Sequence, residues 1–118
     1  MHWHRFILLF STLAGASGIL IAAAGAHMPG IDQAGRELIE RAALYQLIHA
    51  AMLFSMAQHY RPGMRFAAFF FMAGICCFCG GIFLRHLADI ALPARIVPAG
   101  GISFALGWLM LPLGTRFR

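Results

Sequence analysis

Three stretches of this 118-residue chain run without a charge for about the depth of a bilayer: residues 6–26, which is 21 positions, and residues 66–84 and 96–114, which are 19 each. A helix needs about 20 apolar residues to cross roughly 30 Å of hydrocarbon. The runs are continuously apolar, whereas lipid-facing strands of a barrel would alternate, so helices are expected. With 61% hydrophobic and only 11% charged residues, the chain carries far more apolar surface than a soluble domain of its size needs for a core. The first run is read as a retained span and not as a cleaved secretory signal, because its apolar part is longer than a signal core.

A fourth stretch, "AALYQLIHAAMLF" at 42–54, would match these three but for a tyrosine, a glutamine and a histidine in its middle. Counting it gives an all-α membrane protein, a four-transmembrane-helix up-down bundle. Its spans fall at about 6–27, 38–58, 66–85 and 96–114, in one domain covering 1–118. The links are short and carry turn signals, "MPGIDQAG", "HYRPGM" and "HLADIALPAR", so consecutive helices should pack antiparallel. Asp32 is placed to cap a second helix starting near Gln33, before the membrane, with Glu37 and Arg41 spaced i,i+4 along it. Arg85 and Asp89 have the same spacing at the end of the third span and read as a surface pair. No internal repeat points to an inverted-repeat transporter.

All nine basic residues are arginines. Arg5, Arg61, Arg65, Arg116 and Arg118 fall on the side of the termini and the middle loop. Arg36, Arg41, Arg85 and Arg95 fall on the other, with all four acids. This five-to-four bias places both termini in the cytoplasm by the positive-inside rule. The net charge of +5 is then a feature that meets lipid headgroups; arginines split over a terminus, a loop and a tail make no groove for nucleic acid.

Helices in lipid associate through close packing of small residues. Ala14, Gly18, Ala22 and Ala26 recur every fourth residue in the first span. Gly74, Gly80 and Gly81 in the third and Gly100, Gly101, Ser103 and Gly107 in the fourth are read the same way.

On the second helix Arg41, Tyr45 and His49 are spaced i, i+4, i+8, with Gln46 on their flank, so they form one polar stripe. At 1.5 Å per residue His49 lies roughly 12 Å deeper than Arg41. His27 ends the first span on the side where the stripe begins. An unpaired polar group in hydrocarbon costs several kcal/mol, so the stripe is expected to face the bundle interior. His27, Arg41, Tyr45, Gln46 and His49 are therefore the candidate ligand-binding residues, beside the plainer reading that His49 is a neutral, hydrogen-bonded bridge between helices. In "ICCFCG", Cys76 and Cys79 would share a helical face and Cys77 would point away; buried cysteines of this kind are first of all small apolar side chains. No catalytic set, phosphate loop, metal-ligand spacing or cofactor motif can be assembled.

The segments "GAGAHM", "YQLIHAAML", "GICCFCGGIFL" and "VPAGGISFALGW", in this order and spacing, resemble a family of small bacterial inner-membrane proteins grouped as domain of unknown function 423, which is similar to animal transmembrane protein 256. The resemblance covers nearly the whole chain and implies four transmembrane helices in the bacterial cytoplasmic membrane. It implies no activity. The basic residue that commonly precedes the tyrosine in that family is Leu44 here, and Arg41 stands one turn earlier. Three functional readings follow. The first is a non-enzymatic accessory or assembly element, packed in the lipid bilayer against a larger membrane complex or against itself. The second is a protein that binds or transports a small amphipathic molecule (a quinone or a lipid) or protons through His27, Tyr45, Gln46 and His49. The third is a redox or metal protein using Cys76 and Cys79.

Overall fold

A single narrow stripe decides where the first helix goes. In α1, Trp3–His27, only Ile7, Ser11, Ala14, Gly18 and Gly25 are buried, spaced three, four or seven apart, which is one edge of a helix. The rest of its surface is exposed and apolar, including Phe6, Leu9, Leu13, Ile19 and Leu20. The second helix, α2, Gln33–Gln58, has the opposite character: Ile39, Ala42, Ala43, Gln46, His49, Ala50, Leu53 and Met56 are all buried. It is the central element, packed against α1 on one side and against the remaining helices on the other. The computed structural model that carries this description covers residues 2–114, so Arg116 and Arg118 lie outside the described residues.

The third helix, α3, runs Met64–Leu87 and is interrupted at Ile75–Cys79 by a π turn. The fourth, α4, Ile96–Met110, tightens into a 3-10 turn at Leu111–Gly114 around Pro112. Successive helices run antiparallel. Gly25 faces Ile39 and Gly18 faces Gln46 and Leu47 between α1 and α2. Gly81 meets Val97 and Gly107 meets Phe71 between α3 and α4. The chain is thus all-helical, and three of its four helices, α1, α3 and α4 with its 3-10 turn, are long and apolar enough to cross a membrane. The helix α2 does not reach that standard by itself, because Arg36, Glu37, Glu40 and Arg41 fill its first turns and Tyr45, Gln46 and His49 its middle.

Helix ends follow the local chemistry. Asp32 caps α2, its carboxylate accepting the Gly35 N–H at 2.8 Å, and the helix starts at Gln33 as the sequence indicated. Glu37 accepts from the Gln33 side chain at 3.2 Å. The expected Arg85–Asp89 pair has no helix to sit on: α3 ends at Leu87, and Asp89 turns the chain with φ +56°. The chain folds back there, and the Leu84 carbonyl receives the amides of Ala88 and Ile90.

The α3–α4 contact depends on absent side chains. A Cβ on Gly74 would enter the Phe104 ring, and one on Gly107 would come within 2.6 Å of the Phe71 ring. One on Gly100 would strike the Phe78 amide nitrogen, so the α4 backbone is seated on the π turn itself. Gly80 and Gly101, read from the sequence as part of the same surface, have room beside them, the nearest atoms lying 3.9 and 3.8 Å from a built Cβ. On α1, Ala14 and Gly18 are buried, Ala22 is half-buried and Ala26 is exposed, because α1 meets α2 along one edge only.

Candidate functional site

The polar residues of α2 sit on adjacent faces of the helix and turn toward different neighbours. Gln46, 4% exposed, turns toward α1: its amide nitrogen donates to the Ala14 carbonyl at 2.7 Å and to the Ser17 hydroxyl at 2.9 Å. His49, 6% exposed, turns toward α3 and α4. Its Nδ1 lies 2.6 Å from the Tyr45 carbonyl and its Nε2 receives the Trp108 indole N–H at 3.0 Å. One neutral tautomer satisfies both contacts, with the proton on Nδ1 donated to Tyr45 and the lone pair on Nε2 accepting from Trp108. Both ring nitrogens are therefore engaged inside the protein.

Aromatic rings enclose this histidine. Phe104 stacks on it with centroids 3.9 Å apart and an interplanar angle of 19°, and Phe71 leans against it at 5.2 Å. Tyr45 stacks on Phe78 at 5.4 Å and meets the edge of Phe104. Such ring pairs add roughly 0.5–1.5 kcal/mol each beyond the area they bury. The Tyr45 ring is 38% exposed and Arg41 is exposed outright, so the predicted stripe moves from the surface to the interior as it descends. His27, at the exposed end of α1, makes no hydrogen bond or ring contact with the other four.

Two participants escaped the sequence reading. Trp108 both faces outward and packs in the bundle, the residue being 45% exposed with its N–H aimed inward. The available signal was chemical, since an indole N–H within an apolar span needs an acceptor and His49 was the one imidazole inside an apolar run. Arg36, which the sequence marks only as one of the charges on the side away from the termini, is the second. Its guanidinium closes the end of α1, donating to the carbonyls of Gly25 at 3.1 Å, Ala26 at 2.6 Å and Met28 at 2.9 Å, while Nε–H reaches Ile31 at 3.2 Å. These include carbonyls of the last turn of α1, which have no partner within the helix, and the cation also sits at the negative end of the helix dipole.

The cysteines do not share a face. Cys79 is fully buried and donates its S–H to the Ala42 carbonyl at 3.2 Å, whereas Cys76 is exposed. The expectation assumed α-helical periodicity. In a π turn the hydrogen bonds run i→i+5, as from the Gly80 amide to the Ile75 carbonyl, so a three-residue step no longer returns to the same side. Ser103 joins α4 to α3, donating to the Phe70 carbonyl at 2.7 Å. Among the described residues no three His, Cys, Asp or Glu side chains gather closely enough to hold a metal ion.

The chain matches the family model described as "Protein of unknown function (DUF423)" over residues 21–101, a stretch that takes in Arg36 and the carbonyls it clasps, Gln46, His49 and the π turn, but not Ala14, Ser17 or Trp108. It belongs to the DUF423 family. Relatives in this family include the UPF0382 inner membrane protein YgdD of Escherichia coli K12, 28% identical over 117 residues, with 94% of this chain and 89% of that protein covered. A UPF0382 membrane protein of Staphylococcus aureus is 27% identical, with 94% of this chain and 95% of the relative covered. One from Staphylococcus saprophyticus is 30% identical over 79 residues, covering 64% of this chain and 66% of the relative. No solved structure matches the chain. As a DUF423 protein it is a membrane protein of a family whose activity is unknown, and the matched stretch holds both ends of the Cys79–Ala42 hydrogen bond that joins α3 to α2.

Proposed function

We propose that this chain is a four-span protein of the bacterial cytoplasmic membrane that acts without catalysis, as an accessory or assembly element packed against a larger membrane complex or a second copy of itself. The observation that carries this reading is the engagement of its buried polar groups. His49 Nε2 and the amide nitrogen of Gln46 are spent on holding helices together and His49 Nδ1 is engaged by the Tyr45 carbonyl of its own helix, while large apolar side chains of α1 point outward. Four crossings are supported by the pairing of α1 with α2. The two helices have 25 and 26 residues and lie antiparallel in contact from the Gly25–Ile39 end through Gln46, so a bilayer crossed by one is crossed by the other. The charged first turns of α2 then stand at the headgroups and its polar middle is shielded by neighbours.

Cytoplasmic termini are supported by the distribution of charge. Arg5, Arg61 and Arg65 stand at one end of the bundle with no acid beside them in sequence, and Asp32, Glu37, Glu40 and Asp89 belong to the links and turns of the other. The inner-membrane setting is carried over from the name of the Escherichia coli relative. The second reading, a ligand site built jointly from His27, Tyr45, Gln46 and His49, is weakened by the division of those residues between two faces of α2 and the end of α1. Mild extraction from native membranes followed by native mass spectrometry tests the accessory role. The expected result is a defined complex or oligomer; a protein that is monomeric and partnerless in every mild detergent overturns it.

A further inference from the structure

The helix α1 packs along α2 but meets α3 only briefly, and between α1 and α3 an open groove of about 450 Å³ remains. Its walls are apolar, with Phe10, Leu13 and Ile21 on one side and Ile75 and Cys76, from the π turn, on the other. Gln46 lines it from α2. The two N–H groups of that amide are committed to Ala14 and Ser17, but its Oε1 accepts nothing among the described residues. No sealed side-chain oxygen or nitrogen there lacks a partner, so this oxygen is open to the groove. An amide oxygen inside an apolar slot is costly until a donor reaches it.

We infer that this groove binds a neutral, largely apolar membrane molecule carrying a hydroxyl, whose O–H donates to Gln46 Oε1. Three observations select the class. The free position is an acceptor, so the ligand must donate. No charged side chain lines the groove, so an ionised group would be buried without a partner. Gln46 lies midway along α2, and in a hydrocarbon layer about 30 Å thick a phospholipid headgroup does not descend that far. Isoprenoid quinols and long-chain alcohols share this chemistry. The site is distinct from the His49 cluster, which turns toward Phe71, Phe104 and Trp108 from the adjacent face of α2, and it stands whether or not the protein has an assembly role.

The exposed Cys76 thiol at the rim reports occupancy. In a Cys77→Ala background, with Cys79 fully buried, the rate of Cys76 alkylation by N-ethylmaleimide is measured with two matched pairs of probes: a tetra-substituted benzoquinol and its dimethyl ether, and dodecanol and dodecane. The hydroxyl-bearing member of at least one pair is expected to slow alkylation, by about fourfold at about three times its Kd, while its donor-free counterpart leaves the rate unchanged. Whichever pair shows the difference identifies the source. Gly80→Leu places a side chain in the groove where a Cβ has open space; it should abolish protection while keeping the parent melting temperature in detergent. Gln46→Leu should remove the preference for the donor. Equal protection by both members of each pair, no protection by any probe, or full protection in a folded Gly80→Leu protein overturns the inference.

Discussion

His49 and Trp108 are 59 positions apart in the chain, yet each completes the other's hydrogen bonding. Their coupling is measurable by a double-mutant cycle. Trp108→Phe and His49→Leu should each destabilise the protein in detergent melts, and the double variant should lose less than the sum, with a coupling of about 0.6 kcal/mol and at most about 1.7 kcal/mol. His49→Gln keeps a group of similar reach and should remain close to the parent; a loss equal to that of His49→Leu would show that the imidazole does more than bridge helices. Arg36 is a different case, because one guanidinium serves four carbonyls. Arg36→Ala should cost about 1.5–3 kcal/mol, the range for hydrogen bonds to charged groups. Arg36→Lys keeps the cation but not the planar fork, and its melting temperature should fall between the two. Asp32 and the polar stripe could be read directly from spacing, since both depend on neighbours within one helix. The partnerships of Trp108 and Arg36 could not, because each depends on a helix end or helix face that only the folded chain brings near.

Small residues mattered less as a class than by position. Of the glycines singled out on α3 and α4, Gly74, Gly81, Gly100 and Gly107 lie where a neighbour occupies the space of a Cβ, and Gly80 and Gly101 do not. Gly100→Ala should therefore destabilise the protein by about 1–3 kcal/mol, as overpacking does, while Gly101→Ala should leave the thermal midpoint unchanged or slightly raised. If the two variants melt together, the seat of α4 on the π turn is not as close as described. The start of α2 at Gln33 followed from the capping chemistry of Asp32, which is local. The π turn at Ile75–Cys79 has no such signature in "ICCFC"; it places Cys79 against α2 and Phe78 against Gly100 at once, and that requirement exists only in the packed protein. The same turn is why the cysteine periodicity read from an ideal helix failed.

The four-span reading makes a test of orientation possible for the protein as a whole. Reporter fusions or labelling sites in the link at 59–63 should behave as cytoplasmic, and those at 28–32 and 88–95 as periplasmic; opposite results at all three would invert the protein, and mixed results would remove α2 as a crossing. Three of the four helices were countable in the sequence because apolar length is a property of composition, and the fourth, α2, was read from its pattern despite its polar middle. Their arrangement was less accessible, since nothing in a hydropathy pattern says that α1 would lean on α2 and leave a groove beside α3. That arrangement also bears on the order in which the protein is made. Arg36 closes the α1 end through carbonyls eight to eleven residues away, and Gln46 ties α2 to α1 near mid-length, so the hydrogen bonds between α1 and α2 need nothing from α3. With α1 and α2 joined in this way, α3 and α4 would complete the bundle around His49, whose Nε2 is met by the Trp108 indole. A chain that lost α1 would present the translocon with its most polar helix first, with Arg36 and Gln46 both lacking the carbonyls they were placed to meet.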